Sequence, residues 1–216
     1  MFERTINRIC GYKNALYRFK KLGFVRVFSD NLSDAVGVTP SQVRKDFSMF
    51  AISGNKRGGY KVDELLEKIC FILGKDDVCN VVVVGAGNIG LALMKYGGFE
   101  KENMTIKAAF DIDPAKFSEK ENIPVLPLSE LAVYVKKEDI KVGIIAVPDI
   151  AAQHVADLMV AAGVRGILNF APILLRCGGE TVVKNVNLEL ELENIIYFVN
   201  AREKKGTVLE HETKQP

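Results

Sequence analysis

The first third of the chain carries apolar residues at helical spacing. Tyr12 to Leu22 predicts a basic amphipathic helix, with Leu16 and Phe19 on its apolar side and Gly23 ending it. Val25-Arg26-Val27 predicts a short extended piece. Ser29 is the expected N-cap of a helix over Asp30 to Val36, and Gly37-Val38 makes the turn. Thr39 caps the next helix, with Pro40 at its first position, where a missing N–H costs nothing. In this helix, Pro40 to about Phe50, the apolar Val43, Phe47 and Phe50 recur at i, i+4 and i+7 and face inward. Val62 to Leu73 repeats the pattern with Leu65, Leu66, Ile69 and Leu73.

After the linker Gly74-Lys75-Asp76-Asp77 the pattern changes. Short unbroken apolar runs now alternate with helical stretches: Val81 to Val84, Ile106 to Phe110, Val125-Leu126, Val142 to Val147, and Ile167-Leu168. Such runs suit parallel strands buried on both faces. Between them, Ser129 is the expected cap of a helix over Glu130 to Lys137. Asp149 is the expected cap of a long helix through Ala162, closed by Gly163. Thr181-Val182-Val183 predicts an edge strand. Leu188 to Val199 predicts a late helix with more apolar surface than a lone surface helix needs, so it either packs on its own sheet or exchanges with a second subunit.

The expected fold is therefore α/β. Residues 1–75 form an N-terminal winged helix-turn-helix domain, on the grounds given below. Residues 78–201 form a Rossmann-type doubly wound parallel sheet with the late helix, and residues 202–216 are a flexible tail.

Composition narrows the class. The chain has 216 residues, 48% of them hydrophobic, which supports a packed core. No apolar run approaches a membrane span, and no secretory signal follows Met1-Phe2-Glu3-Arg4. The four scattered cysteines, Cys10, Cys70, Cys79 and Cys177, read as reduced thiols of a cytoplasmic protein. Net charge is +2, but residues 1–62 hold 12 Lys+Arg against 4 Asp+Glu, and the remainder holds 17 against 23. The asymmetry fits a polyanion-binding module joined to a more acidic one, or chance clustering on solvated faces.

The chemistry sits in two places. Gly85-Ala86-Gly87-Asn88-Ile89-Gly90 follows a buried strand and opens a helix. Gly85 permits the tight turn, Gly87 lets a pyrophosphate approach the backbone, and Gly90 lets the helix pack on the strand. Asp111 lies 21 residues past Gly90, where it is expected to accept from both ribose hydroxyls and repel a 2′-phosphate, favouring NADH and NAD+. Asp113, Val147 and Pro148 complete the cofactor set expected from the residues alone.

In the helix from Pro40, the positions Ser41, Arg44, Lys45 and Ser48, flanked by Gln42, oppose the apolar side. This is a helix-turn-helix pattern, with Gln42 and Arg44 suited to base edges and Ser41 and Lys45 to phosphate or base. A surface helix of a small bundle shares that pattern. Gly54-Asn55-Lys56-Arg57-Gly58-Gly59 follows, and glycines around two cations suit the wing of a winged helix, with Lys56 and Arg57 tracking phosphate. No metal-type Cys/His spacing appears. Of the two histidines, His154 reads as a surface or packing residue and His211 lies in the tail. A dinucleotide site without an acid–base partner, joined to a DNA-binding module, reads as a sensor. An NAD-dependent oxidoreductase and a module for CoA or another nucleotide are the rival readings.

Together, Val38 to Ser48 (V-T-P-S-Q-V-R-K-D-F-S), the Gly85 to Gly90 loop, Tyr96 with Gly98-Phe99, Phe110 to Pro114, and Leu168 to Pro172 resemble the family of redox-sensing transcriptional repressors called Rex, over about residues 4–200. The resemblance implies a homodimer that binds palindromic double-stranded operator DNA and is released by NADH. It also implies that the late helix is exchanged between subunits and that Tyr96 lies near the nicotinamide. Two positions depart from the family: the wing carries Asn55 between Gly54 and its cations, and Asn187 stands where the family usually has Asp.

Overall fold

Phe47 is the side chain around which the first unit closes. It is fully buried and meets Tyr12 and Tyr60 edge-on, with ring centroids 5.4 and 5.1 Å apart. The computed structural model describes residues 2–55, 58–118 and 122–212. The chain divides into two compact units, Met1–Val78 and Cys79–Pro216.

The first unit holds α1 (Phe2–Lys21), β1 (Arg26–Val27), α2 (Ser29–Val36), α3 (Pro40–Met49), β2 (Tyr60–Lys61) and α4 (Val62–Ile72). Its core gathers Ile9, Tyr12 and Leu16 of α1, Leu32 of α2, Val43 and Phe47 of α3, and Leu65, Leu66 and Ile69 of α4. The capping reading of α3 holds: Thr39 accepts from the Gln42 N–H at 3.2 Å, and Pro40 begins the helix. α1 starts well before Tyr12. Gly11 hides the longer stripe, and it is there because a Cβ would lie 3.1 Å from Val36 of α2. Ser29 is the first residue of α2 rather than its cap; Phe28 occupies that position, and its N–H donates to Asn31 Oδ1 at 2.8 Å. β1 and β2 pair antiparallel as the base of a wing, extended by a bridge between Asn55 and Gly59.

The second unit is a six-stranded, all-parallel sheet in the order β5-β4-β3-β6-β7-β8. The strands are β3 (Cys79–Val84), β4 (Met104–Asp111), β5 (Val125–Pro127), β6 (Val142–Ile145), β7 (Gly166–Asn169) and β8 (Val182–Asn185). The helices are α5 (Asn88–Met94), α6 (Leu131–Lys137), α7 (Asp149–Ala162) and α8 (Leu188–Glu212). One face of the sheet packs Val82, Val84 and Phe110 against α6 and α7; the other gathers Val81, Val83 and Ala109 with Leu93 and Met94 of α5. The strand order reverses between β3 and β6, which opens a crevice at their C-terminal ends.

Three expectations fail here. Asp149 is the first residue of α7 rather than its cap; Pro148 occupies that position. Ser129 caps nothing: it lies inside a 3-10 turn, Leu128–Glu130, and α6 starts after it. The late helix also runs past its expected end, because α8 continues to Glu212. α8 also leaves its apolar residues uncovered. Leu188, Leu190, Leu192, Ile195, Ile196, Tyr197, Phe198 and Val199 are 48 to 68% exposed.

The tie between α1 and α3 is polar. Asp46 is fully buried and accepts from Arg8 Nε at 2.6 Å and Nη2 at 2.7 Å, from Tyr12 OH at 2.8 Å, and from Gln42 Nε2 at 2.7 Å. Burial alone would raise its pKa, but the bonds donated by Arg8, Tyr12 and Gln42 outweigh this and hold the carboxyl below its ordinary value. A carboxylate so held adds stability that is fully present above about pH 4 and is lost as pH falls through its folded value. Asp46→Asn should therefore cost roughly 3 kcal/mol near neutral pH, because it leaves Arg8 without its anion, and the cost should shrink on acidification. Urea unfolding of both proteins from pH 7 to pH 3 measures the difference; a pH-independent gap would contradict the assignment.

Candidate nucleotide site and nucleic-acid interface

The glycine loop sits at the reversal point of the sheet. Gly85 has φ +103°, and a Cβ there would lie 2.4 Å from the Ala146 carbonyl oxygen at the end of β6. At Gly90 a Cβ would lie 1.8 Å from the Gly85 carbonyl oxygen, so the turn of α5 over the loop exists only without a side chain. Gly87 differs from both. A Cβ there meets nothing within 4 Å and its φ is −86°, so the protein itself has no need of glycine. The space over Gly87 is open, as a loop approached by a pyrophosphate requires. Asn88 and Ile89 begin α5, and Ile89 is exposed.

Asp111 ends β4 beside this loop and is nearly buried. Its Oδ2 accepts from the Ala86 N–H at 2.8 Å and from Lys116 Nζ at 2.9 Å, and its Oδ1 accepts from the Asp113 N–H at 3.0 Å. Burial opposes its ionisation, but the two amides and the Lys116 ammonium prevail, so the group is held below the ordinary carboxylate range. The Asp113 carboxylate is exposed and accepts from the Ala115 N–H at 3.0 Å, which caps the short turn Pro114–Lys116. Its side chain thus shapes the loop after β4, while its amide serves Asp111.

Val147 and Pro148 follow β6 and lead into α7, and Val147 Cγ1 would lie 2.9 Å from a Cβ at Gly85. Tyr96 follows α5. It is 61% exposed and rests edge-on against Phe99 at 5.1 Å. His154 is exposed on α7. Among the described residues no cluster of three His, Cys, Asp or Glu side chains could hold a metal ion, and no helix is long and apolar enough to cross a membrane.

Asn169 carries a part that composition does not show. Its buried amide donates to the carbonyls of Ala171 and Ile173 and to Asn185 Oδ1, at 3.1, 2.9 and 2.9 Å, and so fixes the loop after β7 at the same end of the sheet. Asn187 also has a local task. Its Oδ1 accepts from the Leu190 N–H at 3.0 Å, the N-cap of α8.

In the first unit, α3 presents Ser41, Arg44, Lys45 and Ser48 to solvent, opposite the buried Val43 and Phe47. Ser41 shares a hydrogen bond with Thr39 at 2.9 Å. Gln42 stands apart from these four: it is partly buried, and its amide nitrogen is committed to Asp46. A carboxylate only accepts, so the bond uses one amide hydrogen and leaves the Gln42 carbonyl oxygen and the second N–H available. Arg44 lines a hollow with Ser29 at the start of α2 and with Asn55, Gly59 and Tyr60 of the wing base, which brings α3 and the wing together. Arg26 braces the wing by donating to the Gly58 carbonyl at 2.6 Å. Lys56 and Arg57 lie outside the described residues. Arg8, Arg26 and Lys116 are the cations that sequence spacing did not single out. Arg8 and Arg26 meet partners more than thirty positions away, at 38 and 32 residues' separation.

Residues 3–48 match the family described as putative DNA-binding protein N-terminus, and residues 76–173 match the CoA binding domain family. The chain is 42% identical over 203 residues to the redox-sensing transcriptional repressor Rex of Desulforamulus reducens, covering 94% of this chain and 97% of that one. It is 42% identical over 198 residues to the repressor of the same name from Carboxydothermus hydrogenoformans, covering 91% and 95%. The crystal structure of RSP in complex with β-NAD+ and operator DNA matches with a TM-score of 0.89 at 33% identity over 96% of each chain. That of RSP with β-NADH matches with a TM-score of 0.83 at 34% identity, over 95% of this chain and 97% of that one. With the open glycine loop and the exposed face of α3 both in place, the chain belongs to the Rex family of redox-sensing transcriptional repressors.

Proposed function

We propose that this chain represses transcription by binding operator DNA through α3 and the wing, and that NADH seated on the glycine loop releases it. The observation that carries this reading is the open position over Gly87, beside an ionised Asp111, in the same chain as a recognition helix with four exposed polar residues. Ser41, Arg44, Lys45 and Ser48 enter the major groove, where Arg44 suits guanine and Lys45 suits phosphate or guanine. Gln42 offers its carbonyl oxygen, and the wing cations Lys56 and Arg57 track phosphate.

The working unit is a homodimer. The apolar residues of α8 form a larger exposed surface than a soluble monomer keeps, and a second copy of the same helix region is a self-complementary cover for it. Exchange of α8 between subunits accounts for a helix so little buried on its own sheet. A two-fold dimer presents its two α3 helices to half-sites one helical turn apart, roughly 34 Å, or a multiple of it. NADH binds one arrangement of the dimer better and operator the other, so each ligand weakens the other by the same factor. The nicotinamide lies toward Val147, Pro148 and Tyr96, with the pyrophosphate over Gly87 and the adenosine ribose at Asp111 and Asp113.

A CoA reading has one observation in its favour, the family match over residues 76–173. Asp111 stands against it, because a carboxylate at the ribose repels the 3′-phosphate of CoA as it repels the 2′-phosphate of NADPH.

Gel-shift titration on a palindromic operator is the direct test. NADH should weaken binding by roughly 5- to 150-fold, whereas CoA should leave it unchanged. Response to CoA and indifference to NADH would reverse the assignment. Gly87→Val should keep the ligand-free melting temperature and basal operator affinity, because nothing lies within 4 Å of a Cβ added there, and should abolish the NADH response.

Lys45→Ala should weaken operator binding by about 1–3 kcal/mol and leave NADH binding intact. If operator affinity stays at the starting value, α3 is not the reading helix. Asn187 caps α8 but carries no charge, so it cannot answer the charge of the nicotinamide as an aspartate would. Asn187→Asp keeps the cap and should widen the NADH preference over NAD+ measured by calorimetry; an unchanged ratio would place redox discrimination elsewhere.

A further inference from the structure

Asp111 is the acid at the ribose, yet most of its capacity is already used. A carboxylate has about four lone-pair sites. The Ala86 N–H and Lys116 Nζ take both on Oδ2, and the Asp113 N–H takes one on Oδ1. One site remains, and one site cannot accept from both hydroxyls of a ribose diol. The Lys116 ammonium stands 2.9 Å from Asp111 Oδ2, is 39% exposed, and has three donors, one of them engaged with that oxygen. Its position is built by the loop: Asp113 caps the turn Pro114–Lys116, which carries Lys116 back over the end of β4.

We propose that Lys116 is a second reader of the nucleotide ribose, and that it tempers the rejection of a ribose phosphate by Asp111. This rests on the dinucleotide reading given above. One ribose hydroxyl donates to Asp111 Oδ1, and its neighbour accepts from Lys116 Nζ. The diol is thus read as one donor and one acceptor, by a pair whose net charge is near zero. A 2′-phosphate entering the same place meets an attractive ammonium as well as a repelling carboxylate. Lys116 therefore matters for both nucleotides, and more for the phosphorylated one.

The test is the dissociation constant of NADH and of NADPH on the full-length protein, the latter by competition with NADH. The variants are Lys116→Ala, Lys116→Gln, Asp111→Asn and Asp111→Asn with Lys116→Ala. Lys116→Ala should weaken NADH by about fivefold, the loss of one hydrogen bond, and NADPH by about tenfold beyond that. Lys116→Gln should recover NADH but not NADPH, because it donates without charge. Asp111→Asn should gain NADPH affinity relative to NADH, and Lys116→Ala in that background should remove the gain.

Equal effects of Lys116→Ala on both nucleotides, or a gain in Asp111→Asn that survives loss of Lys116, would overturn the proposal. If the unaltered protein binds neither nucleotide, the dinucleotide reading fails instead, and the two failures are distinct. Ligand-free melting of each variant separates misfolding from lost recognition.

Discussion

A buried carboxylate must be surrounded by donors, and each unit of this protein turns that requirement into a mould for its working part. In the first unit, Asp46 takes four hydrogen bonds from α1 and α3 and thereby fixes the angle at which α3 shows its polar face. In the second, Asp111 takes the Ala86 amide and so ties the glycine loop after β3 to the end of β4. Neither acid reacts. An unpaired carboxylate in either place would be costly, so the donors cannot drift without loss of stability.

The glycines supply the complementary constraint, which is steric. Gly85 and Gly90 are required by the protein's own backbone, whereas Gly87 is required by nothing the chain contains. That contrast separates folding from binding within six residues. A loop that needed glycine only to turn would be crowded at all three positions.

Much of this was legible in sequence, for physical reasons. The buried parallel strands announce themselves as unbroken β-branched runs, and the glycine spacing is set by local sterics. α3 is marked at its start and along one face by Thr39, Pro40, Val43 and Phe47. What stayed hidden was of two kinds. Long-range polar ties such as Arg8 to Asp46, and Arg26 to the Gly58 carbonyl, join residues far apart in the chain, and no periodicity encodes them. Local signals were also overruled by packing: Gly11 masks the first turns of α1, and Ser129 looks like a cap but lies inside a tighter turn. Lys116 escaped notice because a lone lysine in a loop resembles any solvated charge until its distance from Asp111 is known.

The strand order has a consequence for how the chain is made. β3 is central, and it leaves the ribosome before either neighbour in the sheet. β4 follows soon after, but β6, which covers its other edge, must wait for two intervening crossovers. The helical first unit, which precedes β3 in the chain, can consolidate during that delay. The nascent chain therefore holds a folded, basic head while Val81 to Val84 still has one open edge. Premature pairing of that edge with another nascent chain is the hazard such an order must survive.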